Sequence, residues 1–369
     1  MTDKIGQLLV MGLKGPELSA SEADFIVANN IGGVILFERN VGAPDQLHAL
    51  CRELHSLRHK TRDKIPLFIG IDMEGGRVAR LKAPFTEWPP MAQLGKLDST
   101  SLAFKFAMSM GLELKSFGIN LNFAPCIDVL TNPNNKVIGD RALGTDAEEV
   151  AKMASALVRG FIKAEILPCA KHFPGHGNTS VDSHEDLPVD EDTDLNRLME
   201  VEAQPFKKAF RARIDMAMTG HLKFPKIDPE WPVTLSSIFL KDILRQELRY
   251  RGLIISDDLD MKALSKNWSV EEIPVRALQA GCEMLLYCNE PRHPEIAFEA
   301  VRKALKDGQL KAQQIDEAYR KVVDVKRAKL AQPDPLPLAE AAKIVGHEDH
   351  KALSQAIAEG RVPDNLSPG

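Results

Sequence analysis

Residues 146–173 read DAEEVAKMASALVRGFIKAEILPCAKHF, and this stretch contains the pattern that decides the fold. Up to residue 164 the apolar residues recur at helical spacing, and Asp146 stands in the N-cap position. A short apolar run follows at residues 166–173. A helix that leads directly into an apolar strand is typical of parallel sheets that are covered on both faces. The stretch therefore predicts one helix–strand unit of an α/β protein.

The same alternation of apolar runs and amphipathic stretches continues along the chain. A second clear helix pattern, SSIFLKDILRQELRY, begins at Ser236, which is a favourable N-cap residue. Eight strand candidates predict a (β/α)8 barrel of the TIM type, and a doubly wound open sheet is the alternative. The candidates are residues 8–13, 32–37, 66–73, 120–129, 166–173, 216–222, 252–258 and 283–288.

The length of the chain, 369 residues, is enough for two ordinary domains or for one α/β barrel. We expect residues 1–330 to form the barrel as a single catalytic domain. Residues 331–369, the C-terminal extension, are Pro-rich at first, then show a short helical pattern and end in turn formers. The extension is too short for a second domain, and we expect it to pack on the barrel or to be partly disordered.

Charge and cysteine usage exclude several classes of partner. The net charge is −5 and no basic stripe is present, which argues against nucleic-acid binding. The N-terminus lacks the apolar core of a signal peptide, and no apolar run approaches the roughly 20 residues of a membrane span. Five scattered cysteines without a CxxC motif indicate free, buried thiols in a reducing compartment. We therefore expect a cytoplasmic monomer that binds a small molecule, and neither nucleic acid nor a membrane.

Polar side chains cluster where the predicted strands end. Barrel enzymes place their active sites at the C-terminal ends of the strands, so these side chains should converge on one face. The five strand ends concerned read IDMEGGR, APCIDV, KHFPGHG, TGHL and SDDLDM.

Residues 171–190, KHFPGHGNTSVDSHEDLPVD, hold three histidines in a stretch that Pro and Gly keep out of a helix. The histidines therefore do not form an HExxH pair. Zinc bound from a loop is an alternative, but no cysteine or ligand spacing supports it, and we expect no metal. Lys171 and His172 stand at a strand end and should face a ligand, whereas His176 should be a hydrogen-bonded structural residue.

The same loop contains the tripeptide DSH, Asp182 to His184. A carboxylate two residues from an imidazole can accept a hydrogen bond from the ring, orient it and raise its pKa. A DSH tripeptide also occurs by chance in many proteins. Taken alone, the pair is therefore only a candidate for acid–base chemistry.

SDDLDM, residues 256–261, closes another predicted strand with three carboxylates. Asp257 comes first out of the strand and is a candidate nucleophile, general base or metal ligand. Asp258 or Asp260 should cap the helix that begins near MKALSK. The segment thus predicts one reactive carboxylate and one structural carboxylate.

Basic residues accompany a further carboxylate, Asp72, which ends the third predicted strand before a Gly-Gly turn. Arg77 and Arg80 follow in the same segment, and GDRALG supplies Arg141. An aspartate with arginine and lysine donors suits the hydroxyl groups of a sugar. One of Arg77 and Arg80 should instead form an ion pair within the loop. The chain has neither a phosphate-binding GKS/T loop nor GxGxxG after a strand, so NAD and ATP are not expected.

In combination, these segments resemble glycoside hydrolase family 3 over roughly residues 5–330. More narrowly, they are similar to its single-domain β-N-acetylglucosaminidases of peptidoglycan recycling, with KHFPGHG and DSH as the most specific part. The segments occur in the order IDMEGGRV, GDRALG, AKHFPGHG, DSH, TGHL and SDDLDM.

The resemblance implies a retaining exo-β-N-acetylglucosaminidase that needs no cofactor and acts on muropeptides such as N-acetylglucosamine–1,6-anhydro-N-acetylmuramic acid peptides. It implies that Asp257 is the nucleophile and that His184 is the acid/base with Asp182 as its partner. It also implies a set of residues that bind the sugar ring. That set is Asp72, Arg80, Arg141, Lys171 and His172.

The chain departs from the family pattern at two positions, and other activities remain open. Asn178 and Asp260 replace an aspartate and a serine or asparagine, which puts loop details in doubt rather than the chemistry. The alternatives are a related β-glucosidase or β-xylosidase, a catalytically silent sugar-binding barrel and a metal-dependent hydrolase. Two-domain β-glucosidases of the family take their acid/base from a second domain, for which this chain has no room.

Overall fold

The protein, described by a computed structural model over residues 2–180, 183 and 185–366, folds around a closed barrel. Its strands are β1 (Leu9–Gly12), β2 (Gly33–Leu36), β3 (Phe68–Ile71), β4 (Met73–Gly75), β5 (Val78–Ala79), β6 (Leu121–Asn122), β7 (Leu167–Phe173), β8 (Met216–Thr219), β9 (Leu253–Asp258) and β10 (Met284–Tyr287). The barrel order is β1-β10-β9-β8-β7-β6-β3-β2, with every pair parallel, and β4 and β5 form a separate antiparallel hairpin. The (β/α)8 prediction is confirmed, and the open sheet is excluded.

The barrel strands are buried along almost their whole length because helices cover their outer face. β6 is much shorter than the predicted strand over residues 120–129. Pro125 has no N–H for a ladder. The side chain of Asn122 also replaces ladder bonds, since it accepts from Met73 N at 3.0 Å and donates to Met73 O at 2.8 Å. The polypeptide after β6 is therefore free to bend over the end of the barrel.

Helices follow most strands and begin where capping residues stand. Asp146 accepts hydrogen bonds from the backbone of Glu148 and Glu149, and Ser236 Oγ accepts from Phe239 N, so both predicted caps are confirmed. The helices are α1 (Thr2–Gly6), α2 (Ala20–Ala28), α3 (Pro44–Ser56), α4 (Met91–Lys96), α5 (Thr100–Ser116), α6 (Ala147–Lys163), α7 (Leu195–Glu200), α8 (Gln204–Arg211), a π-helix (Ile238–Glu247), α9 (Lys262–Ser265), α10 (Glu272–Ala280), α11 (His293–Lys306), α12 (Ala312–Lys329), α13 (Leu338–Ile344) and α14 (Glu348–Ala358).

The described part of the C-terminal extension lies against α3 and α5. Asp334 forms an ion pair with Arg58 at 2.6 Å, and Leu336 N donates to Ser116 O at 3.0 Å. Further along, Leu353 and Ile357 of α14 are buried in the main core. Polar and apolar contacts together therefore attach the extension to the barrel.

Glu113 of α5 connects the extension to the loop over residues 82–90. One carboxylate oxygen accepts from Thr86 N at 2.9 Å. The other oxygen accepts from Thr86 Oγ1 and Gly346 N, and it contacts His350 Nδ1 at 2.8 Å. Trp88 in the same loop accepts from Gly76 N through its carbonyl, at 2.8 Å. One buried carboxylate thus joins the extension, α5 and the loop that supports the β4–β5 hairpin.

Two further expectations concern the state of the cysteines and the presence of membrane-spanning segments. All five cysteines are free and buried, as their apolar surroundings in the sequence indicate. Among the helices in the described part of the chain, none combines the length and the apolar composition that a membrane crossing requires.

Lys326 of α12 is fully buried beneath the barrel and has no carboxylate partner among the described residues. Its Nζ donates to Gln7 Oε1 at 2.7 Å and Gly32 O at 2.5 Å and lies 4.7 Å from the ring centre of Phe68. Burial lowers the pKa of Lys326 well below its ordinary value. The protonated amine is therefore less favourable in the folded chain than in the unfolded chain.

The substitution Lys326→Met is expected to raise the free energy of unfolding at pH 7 by about 1–3 kcal/mol, because the buried amine is removed. Since the folded pKa is depressed, wild-type stability increases as the pH rises toward the unfolded value of about 10.4. The advantage of the variant should therefore shrink near pH 10. Urea unfolding at both pH values measures this, with the exposed Lys303→Met as the control. A variant that is less stable than wild type at pH 7 would contradict the argument.

Candidate active site

A cavity of about 290 Å³ opens at the C-terminal ends of the barrel strands. Asp72 follows β3, Lys171 lies in β7 and Asp257 lies in β9, and all three side chains line this cavity together with Arg80. Its apolar lining consists of Ile35, Phe37, Met218, Met261, Leu286 and Cys288. Four of the predicted site residues are thus brought together although they are separated by up to 185 positions in the chain.

Asp257 is partly exposed, and its Oδ1 accepts from Asp258 N at 2.8 Å. Burial acts to raise the pKa of this carboxyl, but His172, His221 and the backbone N–H outweigh burial, so the pKa lies below its ordinary value. The carboxylate is therefore ionised at neutral pH. An ionised carboxylate at a cavity wall has the charge state of a nucleophile.

Lys171 holds Asp72 in place. Its Nζ contacts Asp72 Oδ1 and Glu74 Oε1, both at 2.7 Å, and Arg80 Nη2 lies 3.4 Å from Asp72 Oδ2. Burial acts to lower the pKa of Lys171, but the two carboxylates outweigh burial and raise it. The lysine therefore stays charged and holds the Asp72 side chain at the cavity wall.

Glu74 belongs to the same ion-pair network as Lys171 but was not selected from the sequence. It is buried and forms a two-pronged ion pair with Arg141, with Nε–Oε2 at 2.9 Å and Nη2–Oε1 at 2.8 Å. Burial acts to raise the pKa of Glu74, but Arg141 and Lys171 lower it further than burial raises it. A signal was available, because Glu74 stands two residues after Asp72 in extended backbone, on the same side of the chain.

The Gly-Gly turn of the β4–β5 hairpin places these carboxylates. Gly75 has φ +109°, and a Cβ there would lie 2.5 Å from Pro89 O, so only glycine fits. Beyond the turn, Arg77 pairs with Asp140 at 2.9 Å on the surface, whereas Arg80 reaches the cavity. The structure thus assigns the loop ion pair to Arg77 and the cavity to Arg80.

His172 is oriented by Asp128, a buried carboxylate in the bend that follows β6. Its Nδ1 lies 2.8 Å from Asp128 Oδ2, and its Nε2 lies 3.4 Å from Arg141 Nη2. Burial acts to raise the pKa of Asp128, but His172 and His176 outweigh it and the pKa falls to about 2. APCIDV was identified from the sequence as a strand end, but Asp128 was not selected as a site residue.

His176 is a structural residue, as predicted. It is buried, and its Nδ1 lies 2.7 Å from Thr179 Oγ1. Burial and His172 lower the pKa of His176 to about 4, so its ring is neutral at pH 7. The residue therefore supports the loop and is not a titrating group near neutrality.

Cys126, Asp128 and His172 form the group of potential metal ligands in the described residues, with ligand atoms within 4.8 Å of one another. These atoms already bond to each other, since Cys126 Sγ donates to Asp128 Oδ2 at 3.3 Å. Burial raises the pKa of the Cys126 thiol, which favours the protonated form. The nearby guanidinium of Arg141 also repels cations. The group therefore suits a hydrogen-bond relay better than a metal ion.

Neither Asp258 nor Asp260 caps the helix after β9, so that prediction is wrong. α9 has Met261 at its N-cap and no side-chain cap. Asp258 instead accepts from Cys288 N, and Asp260 accepts from the backbone of Asn289 and Glu290, all at 3.0 Å. The unpaired amides after the neighbouring strand β10 compete successfully for these oxygens. The two acids therefore fix the wall of the cavity.

Asp182 and His184 lie outside the described residues. Ser183, between them, is buried, and its carbonyl accepts from Ala263 N at 3.2 Å. Ala263 belongs to α9, and the preceding Met261 and Lys262 line the cavity. The described residue of the DSH tripeptide is therefore attached to the rim of the site.

The chain is similar to known glycoside hydrolases in sequence and in fold. A family model described as the glycosyl hydrolase family 3 N terminal domain matches residues 1–325. A β-hexosaminidase of Thiobacillus denitrificans is 38% identical over 301 residues, which cover 80% of this chain and 81% of that protein. A family 3 β-N-acetylglucosaminidase from Paenibacillus sp. superposes with a TM-score of 0.89 at 35% identity, covering 98% of this chain and 68% of that one. NagZ from Neisseria gonorrhoeae, in complex with N-trifluoroacetyl-D-glucosamine, superposes with a TM-score of 0.77 at 29% identity, covering 96% and 98%.

Proposed function

Because the chain belongs to glycosyl hydrolase family 3 and is a β-N-acetylhexosaminidase of that family, we propose that it removes terminal N-acetylglucosamine from muropeptides. The chief substrate would be the disaccharide with 1,6-anhydro-N-acetylmuramic acid, with or without its peptide. The observation that carries the proposal is the ionised Asp257 beside the Asp72–Lys171 pair in one cavity. The cavity, at about 290 Å³, lies at the small end of ligand pockets and suits one terminal sugar ring.

The proposed reaction is a double displacement with retention at the anomeric carbon. Asp257 attacks that carbon while His184 gives its proton to the leaving oxygen, and the glycosidic bond breaks. The resulting ester with Asp257 is then cleaved by water, whose proton passes to His184. Asp182 would orient the imidazole and stabilise its charged form. An imidazole group, whose ordinary pKa is near neutrality, can serve both steps, because the group must act first as an acid and then as a base.

The remaining side chains would bind the sugar in the cavity. Asp72 is held by Lys171 as a fixed acceptor for hydroxyl groups. Arg80 supplies a guanidinium donor from the cavity wall. Arg141 and His172 are not among the described residues that line the cavity, and they would contact the sugar from beside it. A solved relative binds N-trifluoroacetyl-D-glucosamine, which supports an acetamido sugar as the ligand here.

The proposal also covers the setting of the enzyme. We expect a cytoplasmic monomer that needs neither metal nor cofactor. The five free, buried thiols are compatible with a reducing compartment. Gel filtration tests the monomer, and assays with EDTA test the independence from metal.

The proposed function is tested by measuring hydrolysis of three substrates. These are the 4-nitrophenyl β-glycosides of N-acetylglucosamine and of glucose, and the purified muropeptide disaccharide. We expect both acetamido substrates to be cleaved, the glucoside to be cleaved poorly and EDTA to have no effect. Equal cleavage of the glucoside would favour the β-glucosidase alternative. Cleavage of the nitrophenyl sugar but not of the disaccharide would remove the muropeptide from the proposal.

Replacing His184 by alanine is expected to reduce kcat for the disaccharide by about 10³-fold, within the range for a positioned acid. The loss on the nitrophenyl glycoside should be smaller, because nitrophenol leaves readily without a proton. Asp182→Asn should show the same ranking with smaller losses. Steady-state kinetics on both substrates measures the ratio. Equal losses on the two substrates would exclude His184 as the general acid.

A further inference from the structure

Both carboxylate oxygens of Asp128 accept hydrogen bonds. The residue is completely buried, and its Oδ2 faces His172 Nδ1 at 2.8 Å and the Cys126 thiol at 3.3 Å. Its Oδ1 accepts from the backbone N–H groups of His172 at 3.1 Å and His176 at 2.7 Å. The four donors occupy both carboxylate oxygens. Asp128 does not line the cavity, so any effect on the substrate must pass through another residue.

We infer that Asp128 is a positioning residue that holds His172 in the Nδ1–H tautomer, so that the Nε2 lone pair faces Arg141 and both side chains are oriented toward the sugar. An ionised carboxylate can only accept, and therefore Nδ1 must carry the hydrogen of the shared bond. In a neutral imidazole Nε2 is then an acceptor, and this matches the Arg141 donor 3.4 Å away. An N–H at Nε2 would instead point at that guanidinium. The inference rests on the proposed function only in naming the sugar as the ligand.

The same carboxylate also fixes the backbone around the ring. The two amides that it holds belong to residues on either side of the Phe173–Pro174–Gly175 segment. Ring orientation and loop position are therefore set by one group. This coupling explains why a neutral substitute of the same shape should disturb the site: an amide cannot accept from all four donors.

Asp128→Asn tests the inference. The two backbone N–H groups still need an acceptor, so the amide oxygen should turn toward them and the NH₂ toward His172 Nδ1. His172 would then carry its hydrogen on Nε2. Long-range proton–nitrogen NMR of protein with isotope-labelled histidine distinguishes the two tautomers, and the His172 signals are assigned by their loss in His172→Gln. We expect the Nδ1–H form in wild type, the Nε2–H form in the variant, and a roughly 100-fold loss of kcat/KM.

Asp228→Asn is the matched control. Asp228 is also a buried carboxylate that holds a loop, because it accepts from Glu230 N at 2.9 Å, from Trp231 N at 3.0 Å and from Ser236 Oγ. No histidine contacts it in the described residues. In Asp228→Asn we expect a fall in Tm comparable to that of Asp128→Asn, an unchanged His172 tautomer, and kcat/KM within about threefold of wild type. These results would separate the positioning effect of Asp128 from general destabilisation.

Two results would overturn the inference: an Nε2–H tautomer in wild type, or an unchanged tautomer in a folded Asp128→Asn. The wild-type spectrum decides the point even if the variant does not fold. A wild-type protein with the Nδ1–H form but no glycosidase activity would leave the tautomer assignment standing and would count against the proposed function.

Discussion

Alanine at position 257 is expected to lower kcat/KM for the 4-nitrophenyl glycoside of N-acetylglucosamine by about 10⁵-fold, the scale seen when a nucleophile is removed. Asp257 is the ionised carboxylate that meets the cavity at the end of β9, and no other described carboxylate combines that position with a lowered pKa. Without it the covalent ester cannot form. A good leaving group does not rescue the reaction, in contrast to the expected behaviour of His184→Ala.

Mass spectrometry and a neighbouring variant complete the test of Asp257. A fluorinated analogue of the substrate should trap the ester, and peptide mapping should place the added mass on Asp257. Asp260→Asn is the control, because Asp260 holds the backbone of Asn289 and Glu290 and is assigned no bond-making role. Its loss should be far smaller. Residual activity above about 1% in Asp257→Ala, or an adduct elsewhere, would exclude the assignment.

The substitution Glu74→Ala is expected to lower the free energy of unfolding by about 3–5 kcal/mol and to abolish most activity. It leaves Arg141 without its two-pronged partner and Lys171 with one carboxylate instead of two, both in a buried site. Because the folded pKa of Glu74 is depressed, the stabilisation is complete above the unfolded value of about 4.3 and is lost as the pH falls below it. The difference between variant and wild type should therefore shrink in acid. Urea unfolding at pH 7 and pH 3 measures it.

Glu283→Ala provides a control of equal chemistry. Glu283 is likewise buried between Arg245 at 2.6 Å and Lys321 at 2.5 Å, and it accepts from Ile254 N at 2.9 Å, but it lies at the other end of the barrel. We expect a similar loss of stability with kcat/KM close to wild type at a temperature where both are folded. If Glu74→Ala retained wild-type stability and activity, the ion-pair network would have no role.

The sequence was sufficient for the barrel and for part of the site because both depend on local pattern. Apolar runs between amphipathic stretches define parallel strands, and Asp72, Lys171 and Asp257 stand at strand ends that can be read directly. Glu74 and Asp128 were not selected because their roles depend on distant partners. Glu74 meets residues 67 and 97 positions away, and Asp128 meets His172 44 positions away.

Two further differences between the predictions and the structure also arise from contacts with other segments of the chain. Asp258 and Asp260 are suitable caps for the helix that follows them, but unpaired amides after β10 lie closer in space. The strand at residues 120–129 is apolar enough for full length, but the Asn122 side chain and Pro125 interrupt its ladder. In both cases a competing contact from another segment overrides a local preference, which no single-sequence pattern records.

Glu113 couples the C-terminal extension to the loop over residues 82–90. Because its oxygens are shared between Thr86 and the extension residues Gly346 and His350, opening of α14 leaves a buried carboxylate short of donors next to the loop that holds Gly76. The extension and the β4–β5 hairpin should therefore open as one unit in native-state hydrogen exchange, with similar protection at both. Truncation from the C-terminus is therefore expected to weaken the β4–β5 hairpin, although the two segments are far apart in the chain.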